Sequence, residues 1–270
     1  MIASASSLPR LEELTAAYQN TAEHNDALFA RLTQFTWADA LLKEHRLHME
    51  NHALGFGDAA FHSMWAILLR AATARFRTIN ALEIGVYKGQ VISLWALLAR
   101  ELCLQLKIDA ITPLTGKPLP RKTLLRRIRY NLSSRFREQI AVGNFYADIN
   151  YAGVIGDVFK HFDLDVGDVT FYRGYSTDPD ILKQLQHKCY HVVYVDGDHS
   201  YEGAMHDFLN FGPKVALGGW LVADDASFDL PGNSFWKGYK PVARACSTLP
   251  ALGFKNVLNV GHNRIFERVM

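Results

Sequence analysis

Two apolar runs that end abruptly in acid constrain this chain more than any other feature. Val192 to Val195 runs into Asp196, and Trp220 to Ala223 runs into Asp224 and Asp225. Between them, Ala204, Met205, Phe208 and Leu209 fall on one face of a helical segment. Two buried strands joined by a helix pack most simply as parallel neighbours in one sheet. Their carboxyl ends then lie side by side, at the edge where open α/β sheets bind ligands. Asp196, Asp224 and Asp225 converge there, with Asp198 and His199 one step beyond.

Other segments supply the rest of such a sheet. Ile79 to Val86 reads as the first parallel strand and passes through a glycine turn, Gly85 to Gly89, into a helix. In that helix Val91, Leu94, Trp95, Leu98 and Leu102 share a face. Strand, glycine turn and helix form the nucleotide-binding start of a doubly wound fold, although G-x-x-x-G is not the dinucleotide fingerprint. Glu83 is the sharper signal, because a carboxylate inside an apolar strand is costly unless it is paired or serves a site. Ile108 to Leu114 reads as a second strand, with Thr112 at its end. A third, VTFYR, leads to Gly174, Tyr175 and Ser176 on the ligand side, then to Asp178 as helix N-cap before Pro179. Two β-type runs around Gly261-His262-Asn263 signal a closing hairpin.

The flanking segments are helical. Residues 1–60 read as an N-terminal helical cap with Leu28, Leu32 and Phe35 on one stripe. Residues 61–270 read as the main domain, whose first helix carries Phe61, Met64, Trp65, Leu68, Leu69 and Ala72 on one face. An insertion at 113–150 reads as a helical lid. Its stretch from Lys117 to Arg137 is basic, which suits either a phosphate-bearing acceptor or a solvated helix. Trp236 and Tyr239, in a glycine-rich loop, are candidates for an acceptor wall.

Composition excludes some classes. A formal net charge of +2 over 270 residues favours no particular macromolecular partner. Cys103, Cys189 and Cys246 form no C-x-x-C, which points to reduced thiols in a cytoplasmic protein. The first residues show no secretory pattern, and no run of about 18 apolar residues suggests a membrane span.

From Phe61 onward the chain resembles the class I, Rossmann-like S-adenosylmethionine-dependent methyltransferases. E-I-G-V-Y-K-G-Q at Glu83–Gln90 is similar to their first motif, and the closing hairpin is similar to their sixth and seventh strands. V-D-G-D-H-S-Y-E at Val195–Glu202, followed by A-D-D at Ala223–Asp225, resembles the metal-dependent O-methyltransferases of macrolide and aminocoumarin sugars. The resemblance implies an α/β fold: a doubly wound, mostly parallel seven-stranded sheet ending in an antiparallel hairpin. It implies a cofactor site of Glu83, Gly85, Tyr87, Gly89, Ser93, Thr112, Ser176 and Asp196. Thr112 stands where the family usually carries an acid for the cofactor ribose. The resemblance further implies Mg²⁺, or another divalent ion, on Asp196, Asp224 and Asp225.

Oxygen-only ligands suit Mg²⁺, which lowers the pKa of an acceptor hydroxyl. Asp198 or His199 would then take the proton. The expected partner is a small-molecule hydroxyl, in a sugar or glycosylated natural product such as an antibiotic. Nucleic acid is not the expected partner, and self-association into a homo-oligomer is compatible with the sequence. Two alternatives stay open: methylation of a phosphate-bearing or nucleic-acid acceptor, and a non-catalytic binding module on the same fold.

Overall fold

The computed structural model describes residues 8–270. The reading that no secretory pattern is present draws partly on residues 1–7, which lie outside the described residues. No helix among the described residues is long and apolar enough to cross a membrane.

Seven strands form one sheet: β1 (Ile79–Ile84), β2 (Leu106–Thr112), β3 (Val169–Arg173), β4 (Tyr190–Val195), β5 (Val215–Ala223), β6 (Phe254–Val260) and β7 (Asn263–Arg268). Their order is β3-β2-β1-β4-β5-β7-β6, so the sequence of strands reverses between β1 and β4. β1 to β5 are parallel, and β7 runs antiparallel to both β5 and β6. This is the doubly wound sheet with a closing hairpin that the sequence implies. Alternation along the strands divides the interior into two cores. Ala81, Tyr194, Trp220 and Val222 face one layer of helices, while Leu82, Ile84, Val193 and Leu221 face the other.

The helices follow the apolar stripes. α1 (Leu11–Ala17), α2 (Ala22–Ala38) and α3 (Ala40–Asn51) precede α4 (Ala60–Arg75), whose predicted stripe is buried throughout. α5 (Gln90–Glu101) starts at Gly89, whose φ of 88° places it in the left-handed region. In the insertion, α6 (Leu124–Leu132) buries no residue, and α7 (Ser134–Ala141) buries Phe136 and Gln139. α8 (Tyr151–His161), α9 (Pro179–Gln184), α10 (Tyr201–Phe211) and α11 (Lys240–Cys246) complete the layers.

Three local expectations change. Leu209 is 52% exposed, and the inward face of α10 carries Ala204, Asp207, Phe208 and Phe211 instead. β5 begins at Val215, because Gly218 and Gly219 interrupt the apolar pattern without ending the strand. Asp178 stands at the N-cap position of α9, yet its carboxylate accepts the Tyr175 N–H at 2.8 Å and fixes the turn after β3.

Under the N-terminal helices lies a buried polar chain. His45 Nδ1 lies 2.9 Å from His62 Nε2, and His45 Nε2 lies 2.9 Å from the Ser93 hydroxyl. Burial, then the neighbouring His48, lowers His45 to about 3. Burial, then His45, pushes His62 well below its usual value. Both stay neutral when folded but take up protons in the unfolded chain near pH 6.5. Their contribution is therefore intact above pH 6.5 and is lost as pH falls toward 3. Each histidine should cost about 2 kcal/mol of stability between pH 6.5 and 5. Thermal melting across that range should show the fall, and the fall should be shallower in His62→Gln.

Candidate active site

Strand register assembles the acids. Ile84 pairs with Val195, and Val195 pairs with Ala223, so β1, β4 and β5 end at one level. The next residues continue the ladder: the Asp196 N–H donates to Ile84 O at 2.9 Å, and the Asp224 N–H to Val195 O at 3.0 Å. Asp225 turns the chain at a φ of 50°. Its carboxylate accepts the Trp236 indole N–H at 3.0 Å, and its carbonyl accepts the Tyr239 N–H at 2.8 Å. The aromatic loop is thereby folded back over the acids.

Two histidines enter this acidic cluster. His199 Nε2 lies 3.2 Å from Asp196 Oδ1 and 3.8 Å from Asp225 Oδ2. His262 Nε2 lies 3.2 Å from Asp224 Oδ1, while its Nδ1 lies 3.4 Å from Asp58 Oδ2. Two groups of donor atoms, each within 4.8 Å of one another, result: Asp196, His199 and Asp224, and Asp224, Asp225 and His262. Asp224 belongs to both. The acid trio of the sequence reading is thus brought to one place, but interleaved with imidazoles.

The electrostatics are those of a buried site short of positive charge. Burial, then Asp224, raises Asp196 well above the usual carboxylate range. The same two causes lift Asp225 to about 6. Burial, then Asp196, raises Glu83 well above its ordinary value. Burial would also raise Asp224, but His262 outweighs it and holds the carboxyl at about 2. Burial would lower His199, yet pairing with Asp196 lifts it to about 9. His262 rises well above 6.5 because Asp224, followed by Asp58, overcomes its burial. Two imidazoles bridge the carboxylates, and a divalent cation would satisfy the same groups. Glu83 Oε2 is buried without a hydrogen-bond partner, and Asp224 Oδ1 and His262 Nδ1 have only their ion-pair contacts, at 3.2 and 3.4 Å, without hydrogen-bonding geometry. Such unsatisfied atoms fit a bound group.

The cluster forms the floor of a cavity of about 680 Å³. Glu83, Asp196, His199, Asp224, Asp225 and His262 supply its polar side, and Phe29, Phe61, Phe235, Trp236 and Tyr239 its apolar wall. Tyr87 also lines it and stacks on Phe56 at 5.3 Å. The loop from Ala53 to Asp58 is tied to the turn between β1 and α5, since the Gln90 amide donates to Phe56 O at 3.2 Å and Lys88 Nζ to Ala53 O at 2.8 Å.

Several residues assigned from the family motif have other partners. The Ser93 hydroxyl is wholly buried against His45, beneath α5 and away from the cavity. The Thr112 hydroxyl donates to Val86 O at 3.0 Å and accepts the Leu114 N–H at 3.2 Å, locking the end of β2 to the glycine turn. The Gly85 N–H donates to Ile111 O at 3.0 Å. Ser176 is not among the cavity-lining residues. Asp198 is also not free: its carboxylate accepts the Ser200 N–H at 2.8 Å, the Asn144 amide at 2.7 Å and the Gln139 amide at 3.1 Å. Burial would raise it, but these hydrogen bonds, Ser200 first, keep its pKa below the usual value. Asp198 therefore anchors the end of the insertion, and His199 is the member of the pair that faces the cavity.

Asp58 and His262 went unread in the sequence. GHN registers only as a turn. The signal was the antiparallel hairpin itself, since pairing Ala223 with Arg264 carries the residue before Asn263 to the acidic edge. The Ala226 N–H completes the link by donating to His262 O at 2.8 Å.

Comparison with known proteins follows the same lines. A family described as a methyltransferase domain matches residues 82–226, just over half of the chain. No curated protein sequence matches it. Among solved structures, the O-methyltransferase NovP is similar at a TM-score of 0.56 and 16% identity, covering 78% of this chain and 80% of NovP. The SAH-bound methyltransferase PaMTH1 of Podospora anserina is similar at 0.55 and 14%, covering 91% and 97%. CalS11, a calicheamicin methyltransferase, is similar at 0.53 and 16%, covering 94% and 96%. The family match and the seven-stranded fold agree: this chain belongs to the methyltransferase-domain family and is a class I S-adenosylmethionine-dependent methyltransferase.

Proposed function

We propose that the protein transfers a methyl group from S-adenosylmethionine to a hydroxyl of a sugar or glycosylated small molecule, assisted by a divalent ion such as Mg²⁺. The observation that carries this reading is the cluster of buried Asp224 with half-buried Asp196 and Asp225 on the floor of an aromatic-walled cavity. A bound divalent ion would supply charge to polarise the acceptor hydroxyl and lower its pKa. Glu83, with Oε2 unpartnered beside the glycine turn, is placed to accept a hydrogen bond from the cofactor and to favour its sulfonium charge. Phe61, Trp236 and Tyr239 offer flat faces to the apolar side of a sugar ring and hold water away from it. His199 keeps its proton while Asp196 and Asp225 pair with it; its Nε2 accepts the acceptor's proton once those carboxylates are engaged elsewhere. Among the similar structures, CalS11 is described as a TDP-rhamnose 3′-O-methyltransferase, which supports a sugar acceptor.

The test is methyl transfer from S-adenosylmethionine to a panel of nucleotide sugars, with and without chelator. Turnover should fall by about 10³-fold or more under exhaustive chelation and return with Mg²⁺. Full turnover in chelator would refute the metal role, and no heat of S-adenosylmethionine binding by calorimetry would refute the activity itself. The exposed arginines of the insertion, among them Arg127 and Arg129, favour a phosphate-bearing acceptor as a second reading. Steep salt dependence of acceptor binding would support it.

A further inference from the structure

The hairpin that closes the sheet has a two-residue turn, Gly261-His262, between β6 and β7. That turn interlocks with the Gly57-Asp58 segment before α4. A Cβ on Gly57 would lie 3.1 Å from His262 Cε1, and one on Gly261 would lie 3.1 Å from Asp58 Oδ2. Both glycines have positive φ, 82° and 59°, so the two turns approach as only glycine turns can. The result is a line of three groups: Asp58 carboxylate, His262 imidazole, Asp224 carboxylate. His262 is 4% exposed and Asp224 8%, and neither the 3.2 Å contact between them nor the 3.4 Å contact from His262 to Asp58 has hydrogen-bonding geometry. A buried Asp–His–Asp line without hydrogen-bonding geometry at either contact is poorly explained as a finished ion pair. Metal-ligating histidines, by contrast, almost always direct their second ring nitrogen at a carboxylate or carbonyl, which fixes tautomer and orientation.

We infer that His262 is a nitrogen ligand of the divalent ion, oriented by Asp58, so that the ion's donors are Asp224, Asp225 and His262 rather than carboxylates alone. This rests on the metal-assisted reading above. With the ion bound, Asp58 would accept a hydrogen bond from the Nδ1–H, 3.4 Å away, leaving the Nε2 lone pair for the ion; one donor atom from each of Asp224, Asp225 and His262 lies within 4.8 Å of the others. His199 stays free for proton transfer. An imidazole donor shifts preference from Mg²⁺ toward transition-series ions. The ligand set thus spans the molecule, with its orienting acid in the N-terminal segment.

The experiment is Mn²⁺ binding to the full chain, read by pulsed electron paramagnetic resonance for ¹⁴N coupling and by calorimetry against Mg²⁺. Wild type should show directly bound nitrogen and a preference for Mn²⁺. His262→Gln should lose the coupling and lower the Mn²⁺-to-Mg²⁺ preference by about tenfold, whereas His199→Gln should keep both. Asp58→Asn should weaken Mn²⁺ binding by about 10-fold or more with the coupling still present, and remains informative if His262→Gln does not fold. Mn²⁺ bound without nitrogen coupling, or coupling lost in His199→Gln instead, would overturn the assignment. An equal loss of Mn²⁺ and Mg²⁺ affinity in His262→Gln would also overturn it, making His262 only a counter-ion of Asp224. No Mn²⁺ or Mg²⁺ binding at all would sink the metal reading as a whole rather than this ligand.

Discussion

Asp224→Ala should lower methyl transfer by about 10³-fold or more while leaving S-adenosylmethionine binding measurable by calorimetry. Asp224 is the acid common to both donor groups, so its loss breaks either arrangement of ligands. It is also the most buried of the three aspartates, and His262 beside it favours its ionised form. Cofactor binding should persist because Glu83 and the glycine turn belong to β1 and its exit, not to β5. A variant with turnover within tenfold of wild type would mean that the acid cluster is structural.

Gly85→Ala is expected to cost the most stability of any small substitution at the sheet edge. Its φ of 100° lies where a side chain is strained, and its Cβ would sit 1.9 Å from Asp196 O and 2.8 Å from Gly197 Cα. Both obstacles are backbone, so the ends of β1 and β4 must separate. The loss should be about 4 kcal/mol or more, lowering the melting temperature by roughly 10 °C. Gly89→Ala makes the useful contrast. Its φ of 88° is also unfavourable, but its Cβ would meet only the Ile155 side chain, at 3.2 Å, which can move. A cost of about 1–2 kcal/mol is expected there. Equal melting temperatures for the two variants would show that strand separation at Gly85 is not needed. The comparison also gives Gly85 its role: it lets two strand ends touch, and so places Glu83 and Asp196 close enough to repel.

The fold was legible because its signals are local. Short apolar runs of period two, a helical stripe between each pair and a glycine at the first turn require no knowledge of distant residues. The acids after β4 and β5 were legible for the same reason, since each follows directly on a strand and parallel pairing carries them to one edge. The partners of Ser93 and Thr112 were not legible, because motif position says nothing about which way a hydroxyl points. Gln90 and Val91 are the residues of α5 that line the cavity, whereas Ser93 finds His45; Thr112 finds the carbonyl of Val86. Asp198 and His199 are neighbours in sequence but differ in space: Gln139 and Asn144, more than fifty residues away in the chain, donate to Asp198, while His199 lines the cavity.

By itself, then, the sequence determined which strands form, how they must be ordered for their acids to meet, and the family to which the chain belongs. Periodicity and strand ends are properties of neighbouring residues, so they survive without coordinates. Only the tertiary structure decided which carboxylates are free, that His262 joins the acidic edge, and that Asp58 stands behind it. Those facts depend on contacts between segments about two hundred residues apart, made by glycine turns whose close approach leaves no periodic trace in the chain.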